Sequence, residues 1–261
     1  MLSTKFAIDV RLRRDTVPGF DRYPFSLPAI RHLDTLEFHP AVTFIVGENG
    51  SGKSTLLEAI AVASGFNAEG GSKNFRFDTR ASHSVLHEHI RIAKGYRRPR
   101  DGYFLRAESF FNLATEIEAL DRGPGGPPIT DSYGGRSLHE QSHGESFMAL
   151  LRERFGGNGL YILDEPEAAL SPQRQLAALA RIHSLVQAGS QFIIATHSPI
   201  LMAYPDAHLY VCSATGLERS DYYDTEHYKV MHDFVVNPKR MLDVLLAPDP
   251  APQVGGWPAG S

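Results

Sequence analysis

An α/β fold is predicted by three observations. Short buried strands, Val42 to Val46, Leu160 to Leu163 and Phe192 to Ala195, alternate with runs of helical spacing. A nine-residue stretch, GENGSGKST from Gly47 to Thr55, joins the first of these strands to the apolar run Leu56, Leu57, Ala59, Ile60. The second strand ends in Asp164 and Glu165 and the third runs into His197, at the strand ends where open α/β sheets bind ligands.

In chain order, residues 1 to about 46 read as β-rich. Phe6, Ile8, Val10 and Leu12 alternate with Lys5, Asp9, Arg11 and Arg13, the period of a half-buried strand, and Leu33, Leu36 and Phe38 follow. The segment Gly65 to Ser72 closes the helix after Thr55. A basic loop, Lys94 to Gly102, precedes the strand-like Tyr103, Phe104, Leu105. Phe110, Leu113, Ile117 and Leu120 then have helical spacing, and the Gly/Pro-rich stretch Asp121 to Ser137 reads as a mobile connection. Phe147, Leu150 and Leu151 belong to a helix. Ser171 caps another, with Pro172 at its first position, and Leu176, Leu179, His183 and Val186 are expected on one face until Gly189 stops it. Leu209 to Val211 is a last strand, holding Cys212. One domain, 1–247, is expected, with a helical lobe over approximately 80–158 and a disordered tail over 248–261.

Composition narrows the function. A chain of 261 residues, 42% hydrophobic, can bury a full core. A net charge of −4 argues against a dedicated nucleic-acid binder, so any DNA contact must come from a local patch. One cysteine excludes an internal disulfide. No run approaches the roughly 18 apolar residues of a membrane span, and the N-terminus lacks a secretory core, so a soluble, cytoplasmic protein without an integral membrane segment is expected.

The stretch at Gly47 fits G-x-x-x-x-G-K-[ST], the loop that cradles nucleotide phosphates, in its required place between strand and helix. Gly47, Gly50 and Gly52 let backbone N–H groups turn inward as an anion nest at a helix N-terminus, with Glu48, Asn49, Ser51 and Thr55 completing the loop. Lys53 is expected to reach the β- and γ-phosphates and Ser54 to hold Mg²⁺. Asp164 can hold the Mg²⁺ shell, and Glu165 can deprotonate the attacking water. Solvated acids at a strand end are the plain alternative. His197 can meet the γ-phosphate or the water, or be an ordinary strand-end histidine. In QSHGES, Gln141 to Ser146, Ser142 with Glu145 fits a capping box. Ser142, Gly144 and the helix N-terminus also offer a second phosphate surface, on a different lobe from Lys53 and suited to a site in a second copy of the chain.

Taken in order, these motifs resemble an ABC-type ATPase (ATP-binding cassette) over roughly residues 5 to 215. GENGSGKST is similar to Walker A, YILDE to Walker B with its catalytic glutamate, Ala169-Leu170-Ser171 to the D-loop and His197 to the switch histidine. QSHGE stands in the place of the signature, with Ser142 22 residues before Asp164. The variant motifs look closest to soluble AAA-labelled ATPases of bacteria, relatives of RecF and of the structural-maintenance-of-chromosomes (SMC) heads. The resemblance implies a P-loop NTPase fold, with a mainly parallel core sheet, an antiparallel β portion and an inserted helical lobe. It also implies ATP and Mg²⁺ as ligands, ATP hydrolysis, and a head-to-tail homodimer with nucleotide between Walker A of one copy and the signature of the other. On this resemblance Ser142, Gly144 and Glu145 contact the partner's nucleotide, and Lys53, Glu165 and His197 are catalytic.

Three departures stand out. No glutamine marks a Q-loop, and Glu108 is the substitute metal contact, or else caps the following helix. His143 and Glu145 replace a signature glycine and glutamine. No aromatic is fixed as the adenine contact; Tyr23 and Phe25 are candidates that could equally be core. About 90 residues separate Lys53 from Ser142, too few for coiled-coil arms. His83, His87 and His89, and the pair His139 and His143, are better explained as ordinary histidines than as a metal site. The basic loop with Arg97, Arg98 and Arg100 leaves open a nucleotide-dependent, DNA-associated switch in genome maintenance or phage defence. A third reading is the ATP-binding subunit of a membrane transporter.

Overall fold

The computed structural model describes residues 4–72, 84–106, Asp121 and 142–247. In chain order the elements are β1 (Ala7–Leu12), α1 (Pro28–Arg31), β2 (Thr35–Glu37), β3 (Val42–Gly47), α2 (Lys53–Ala63), β4 (Ile90–Lys94), β5 (Asp101–Arg106) and α3 (His143–Ala149). There follow β6 (Gly159–Asp164), α4 (Pro172–Gln187), β7 (Gln191–Ala195), α5 (Pro199–Met202), β8 (His208–Ser213), β9 (Gly216–Arg219), α6 (Glu226–Val236) and α7 (Pro238–Leu245). A single π-helical turn, Leu150–Arg154, continues α3.

The strands form a six-stranded sheet in the order β5-β6-β7-β3-β8-β9 and a three-stranded sheet β2-β1-β4. In the larger sheet every pairing is parallel except the edge hairpin β8–β9. The smaller sheet is antiparallel throughout. Ile45 pairs with Ala195, and Ala195 with Asp164, so the chain leaves β3, β7 and β6 on one level of the sheet, side by side. That alignment is what brings three distant sequence motifs together.

Both faces of the larger sheet are covered, and the strands read as continuous apolar runs for that reason. The two-residue period sends Phe44, Tyr161, Leu163, Phe192 and Ile194 into one core, under α3 and α4. Ile45, Leu160, Ile162, Ile193 and Ala195 enter the other, under α2 and the antiparallel sheet. Cys212 is buried and free, as expected.

Gln191 clasps the two sheets. Its Nε2 donates to the carbonyls of Ala7 and His39, and its Oε1 accepts from the N–H groups of Phe6 and Ala7, all four at 2.9 Å. The side chain is 1% exposed, so its removal strands buried backbone groups. Each such group costs roughly 1–3 kcal/mol, and Gln191→Ala is expected to lose about 3 kcal/mol or more in denaturant titration. A change under about 1 kcal/mol would refute the clasp.

Two expectations need correction. On α4 the buried stripe is Ala178, Ile182 and Leu185, while Leu179 and Val186 pack on its flank and Leu176 is 58% exposed. The helix carries two adjoining apolar stripes, and the sheet takes the one beside the expected face. Within 80–158, β4 and β5 belong to the two sheets, and the described helical part is His143 to Arg154. The expected helix around Phe110, the connection from Asp121 to Ser137 (Asp121 apart) and the tail lie outside the described residues.

The helices α6 and α7 were not foreseen. Their caps were legible: Thr225 Oγ1 accepts from Tyr228 N at 3.2 Å, and Asn237 Oδ1 from Arg240 N at 3.2 Å, with Pro238 next. Neither helix buries a residue, and their apolar side chains, Val230, Met231, Phe234 and Val235 on α6 and Leu242 and Leu245 on α7, are exposed.

Candidate functional site

The loop from β3 into α2 requires its glycines. Gly47 has φ 145°, and a Cβ there would stand 2.5 Å from the carbonyl oxygen of Cys212, its partner on β8. Gly52, the residue before α2, has φ 99°, and a Cβ would meet that of Leu27 at 3.0 Å. An 11-residue helix packed through Leu56, Leu57 and Ile60 then aims its N-terminal N–H groups into the loop.

Lys53 is 4% exposed and spans this loop, donating from Nζ to the carbonyls of Gly47 and Glu48 at 2.7 Å each. Burial pushes its pKa down, while Glu165, Cys212, Asp164 and Glu167 push it up. Ser54 Oγ donates to Asp164 Oδ1 at 3.0 Å, bridging α2 and the end of β6. A hydroxyl and a carboxylate converging beside the loop are the hard oxygen donors that Mg²⁺ takes, so the residues fit that ion. The buried Ser51 Oγ and His197 Nε2 have no hydrogen-bond partner among the described residues, which suits a loop that receives an anion.

Glu165 follows β6 with φ 50° and ψ 51°, a left-handed conformation rare for a residue with a side chain. Its N–H still bonds Ala195 O at 3.0 Å, so the chain turns sharply while held to β7. The turn brings Glu165 Oε1 to 3.6 Å from His197 Nε2. His197 N donates to Glu167 Oε1 at 2.5 Å, which ties the D-loop side to the end of β7. Burial raises the pKa of Glu167 and lowers that of His197, the latter also depressed by Lys53 and raised by Glu165. Sequence reading missed Glu167, and it missed His227 on α6, whose Nε2 lies 3.3 Å from His197 Nδ1.

The structure therefore brings together Lys53, Ser54, Asp164, Glu165 and His197. Ser142, Gly144 and Glu145 form a separate group at the start of α3. Ser142 Oγ donates to Glu145 Oε2 at 2.7 Å and Ser142 N to the same oxygen at 3.0 Å, bonds that lower the Glu145 pKa. Arg174 donates to Ser142 Oγ and Glu145 Oε1 at 3.3 Å each. Gly144 is buried against the D-loop, and a Cβ would stand 2.7 Å from Ala169 O. Ser142, His143 and Glu145 are exposed, and Ser142 and His143 stand at the edge of a cavity of about 610 Å³ that Phe147, Pro166 and Arg174 also line.

Glu108, His83 and His139 lie outside the described residues. Phe25 is core, 2% exposed and edge-on to His89, whereas Tyr23 is 65% exposed. His89 Nδ1 bonds Thr16 and His87 Nδ1 bonds Ser84 O, and among the described residues no group of three metal-ligating side chains forms. In the basic loop Arg97 donates to Asn158 Oδ1 at 2.7 Å, a structural tie, while Arg98 and Arg100 face solvent.

A family model described as an AAA domain matches residues 24–116. A second, described as an AAA domain with the AbiEii toxin of type IV toxin–antitoxin systems, matches residues 138–203. A Streptomyces coelicolor protein named as an ABC transporter ATP-binding protein is 28% identical over 231 residues, which cover 82% of this chain and 37% of the relative. The chain thus spans little more than a third of that curated relative's length. A metal-chelate type ABC transporter in an inward-facing conformation superposes with a TM-score of 0.50 at 14% identity, covering 87% of this chain and 88% of the other, and shares the fold. The SMC head domain from Thermotoga maritima gives a TM-score of 0.43 at 17% identity, covering 82% of this chain and 99% of that one. Among the described residues no helix is long and apolar enough to cross a membrane.

Proposed function

We infer that this chain, an ATPase of the ABC type, binds Mg-ATP in the β3–α2 loop and couples its hydrolysis to closure of a head-to-tail homodimer. The observation that carries this reading is the convergence of Lys53, the Ser54–Asp164 pair, and the Glu165–His197 pair at the level ends of β3, β6 and β7.

The N–H groups of the loop and the α2 N-terminus receive the phosphates, and Lys53 supplies a charged donor to them. Ser54 and Asp164 would hold Mg²⁺, which when bound neutralises charge on the β- and γ-phosphates. Glu165 takes a proton from water as its oxygen bonds to the γ-phosphorus and the bond to the bridging oxygen breaks, releasing ADP. His197 donates from Nε2 to the γ-phosphate oxygens as charge shifts, from a position fixed by the Glu167 bond to its backbone.

The signature turn supports the dimer. Ser142 and Glu145 are exposed and share no contact with the chain's own Lys53 loop among the bonds described, and Ser142 flanks an open cavity beside Ala169. A partner's γ-phosphate would give differential contacts to the closed state, and its loss would open the pair. Light scattering of Glu165→Gln is the test: mass is expected to double with Mg-ATP and to stay monomeric without it. A mass indifferent to nucleotide would sink the dimer.

Two narrower readings have specific support. The name of the Streptomyces relative favours a transporter subunit, for which copurification with a multispanning protein is the distinguishing result. The second family model, whose description names a toxin of a type IV toxin–antitoxin system, is what favours a nucleotide-dependent switch. Its DNA-associated form rests on Arg98 and Arg100, and salt-sensitive DNA binding strengthened by ATP is its test. Each places the chain in the cytoplasm or on a membrane's cytoplasmic side.

A further inference from the structure

We propose that His227, on the first turn of α6, is a positioning residue that sets the tautomer of His197 and so makes its Nε2 a hydrogen-bond donor to the γ-phosphate. The inference rests on the reading of His197 as the γ-phosphate partner and adds how that histidine is kept ready.

The two nitrogens of His197 meet different surroundings. Nε2 lies 3.6 Å from Glu165 Oε1, beyond hydrogen-bond range but facing a carboxylate oxygen. Nδ1 lies 3.3 Å from His227 Nε2, and the rings are 5.5 Å apart, tilted by 46°. A neutral imidazole has one donor and one acceptor. The carboxylate favours the proton on Nε2, so Nδ1 must accept, and His227 Nε2–H is the donor that reaches it. Burial lowers the pKa of both histidines, Lys53 lowers both further, and His197 lowers that of His227, which favours two neutral rings. The groups acting on the pair are Lys53 and Glu165 at His197, and His197, Lys53, Glu226 and Glu167 at His227.

His227 is held for this task although its helix buries nothing. Thr225, 2% exposed, caps α6 by accepting from Tyr228 N, and its hydroxyl donates to Tyr222 O at 2.7 Å. The cap fixes the first turn, and His227 is the second residue of it. Without the His227 donor, His197 can place its proton on Nδ1 and turn an Nε2 lone pair toward phosphate oxygen, which repels it. Partners that orient a metal-ligating imidazole typically matter by about 10- to 100-fold, and an effect at the lower end of that range is expected for an imidazole that orients toward phosphate.

The experiment compares His227→Leu, His227→Gln and His197→Ala in steady-state ATPase assays, with ¹⁵N NMR of the histidine side chains as a readout apart from activity. His227→Leu is expected to lower kcat about 10-fold with KM within about twofold. His227→Gln, which keeps an amide donor, is expected to recover to within about threefold of the parent. The nitrogen shifts are expected to show an Nε2–H tautomer of His197 in the parent and a mixture in His227→Leu. Parental kcat in His227→Leu, a change in KM alone, a Gln variant as slow as the Leu variant, or an Nδ1–H tautomer in the parent would each overturn the proposal. Parental turnover in His197→Ala would instead remove the reading of His197 itself.

Discussion

Glu165→Gln is expected to slow ATP turnover by roughly 10²- to 10⁴-fold while leaving ATP affinity within about threefold. In barrier terms this is roughly 3 to 5 kcal/mol. The amide keeps the size and shape of the carboxylate, so the left-handed turn at φ 50° and the bond from Glu165 N to Ala195 O persist. Only the capacity to take a proton is lost. Glu167 is a poor substitute, because its Oε1 already accepts the His197 N–H and is committed to holding the end of β7. Single-turnover hydrolysis, read beside nucleotide titration, separates the chemical step from binding. Hydrolysis at the parental rate would falsify the assignment of Glu165 as the base.

The sheet was legible because its strands are buried on both faces and therefore appear as unbroken apolar runs, each followed by a polar residue at a strand end. Lys53 and Ser54 were read from the G-x-x-x-x-G-K-[ST] motif and Asp164, Glu165 and His197 from the polar residues that end apolar runs, and strand register brings Ile45, Ala195 and Asp164 level. What escaped notice has different physics. Gln191 joins two sheets through backbone atoms, and a lone glutamine at a strand start carries no periodic signal. His227 sits on a helix with no buried side chain, and its pairing with His197 is set by tertiary placement, which no sequence spacing carries. Glu167 follows Pro166 in a short turn and acts on the main chain of His197, a contact set by tertiary placement. The stripe error on α4 has the same origin: two apolar faces adjoin on that helix, and only the sheet's curvature and neighbours choose between Ala178 and Leu176.

Lys53→Ala is expected to abolish measurable nucleotide binding, raising the Kd for Mg-ATP by about 100-fold or more. Three losses combine. The ammonium has three donors, of which two go to the Gly47 and Glu48 carbonyls, and the third is free to reach a phosphate. A charged hydrogen bond contributes about 1.5–3 kcal/mol, and 1.4 kcal/mol is tenfold in affinity. Removing Nζ also leaves both carbonyls without their donor, so the loop loses the brace that holds its N–H groups inward. The third loss is electrostatic: Asp164, Glu165 and Glu167 all act on Lys53, and without its charge their repulsion of the triphosphate is no longer offset by that cation. The first effect weakens a contact, whereas the second and third damage the cradle, so Mg²⁺ cannot compensate through Ser54 and Asp164. Isothermal titration with Mg-ATP measures the outcome, and an affinity equal to the parent's would contradict the role given to Lys53.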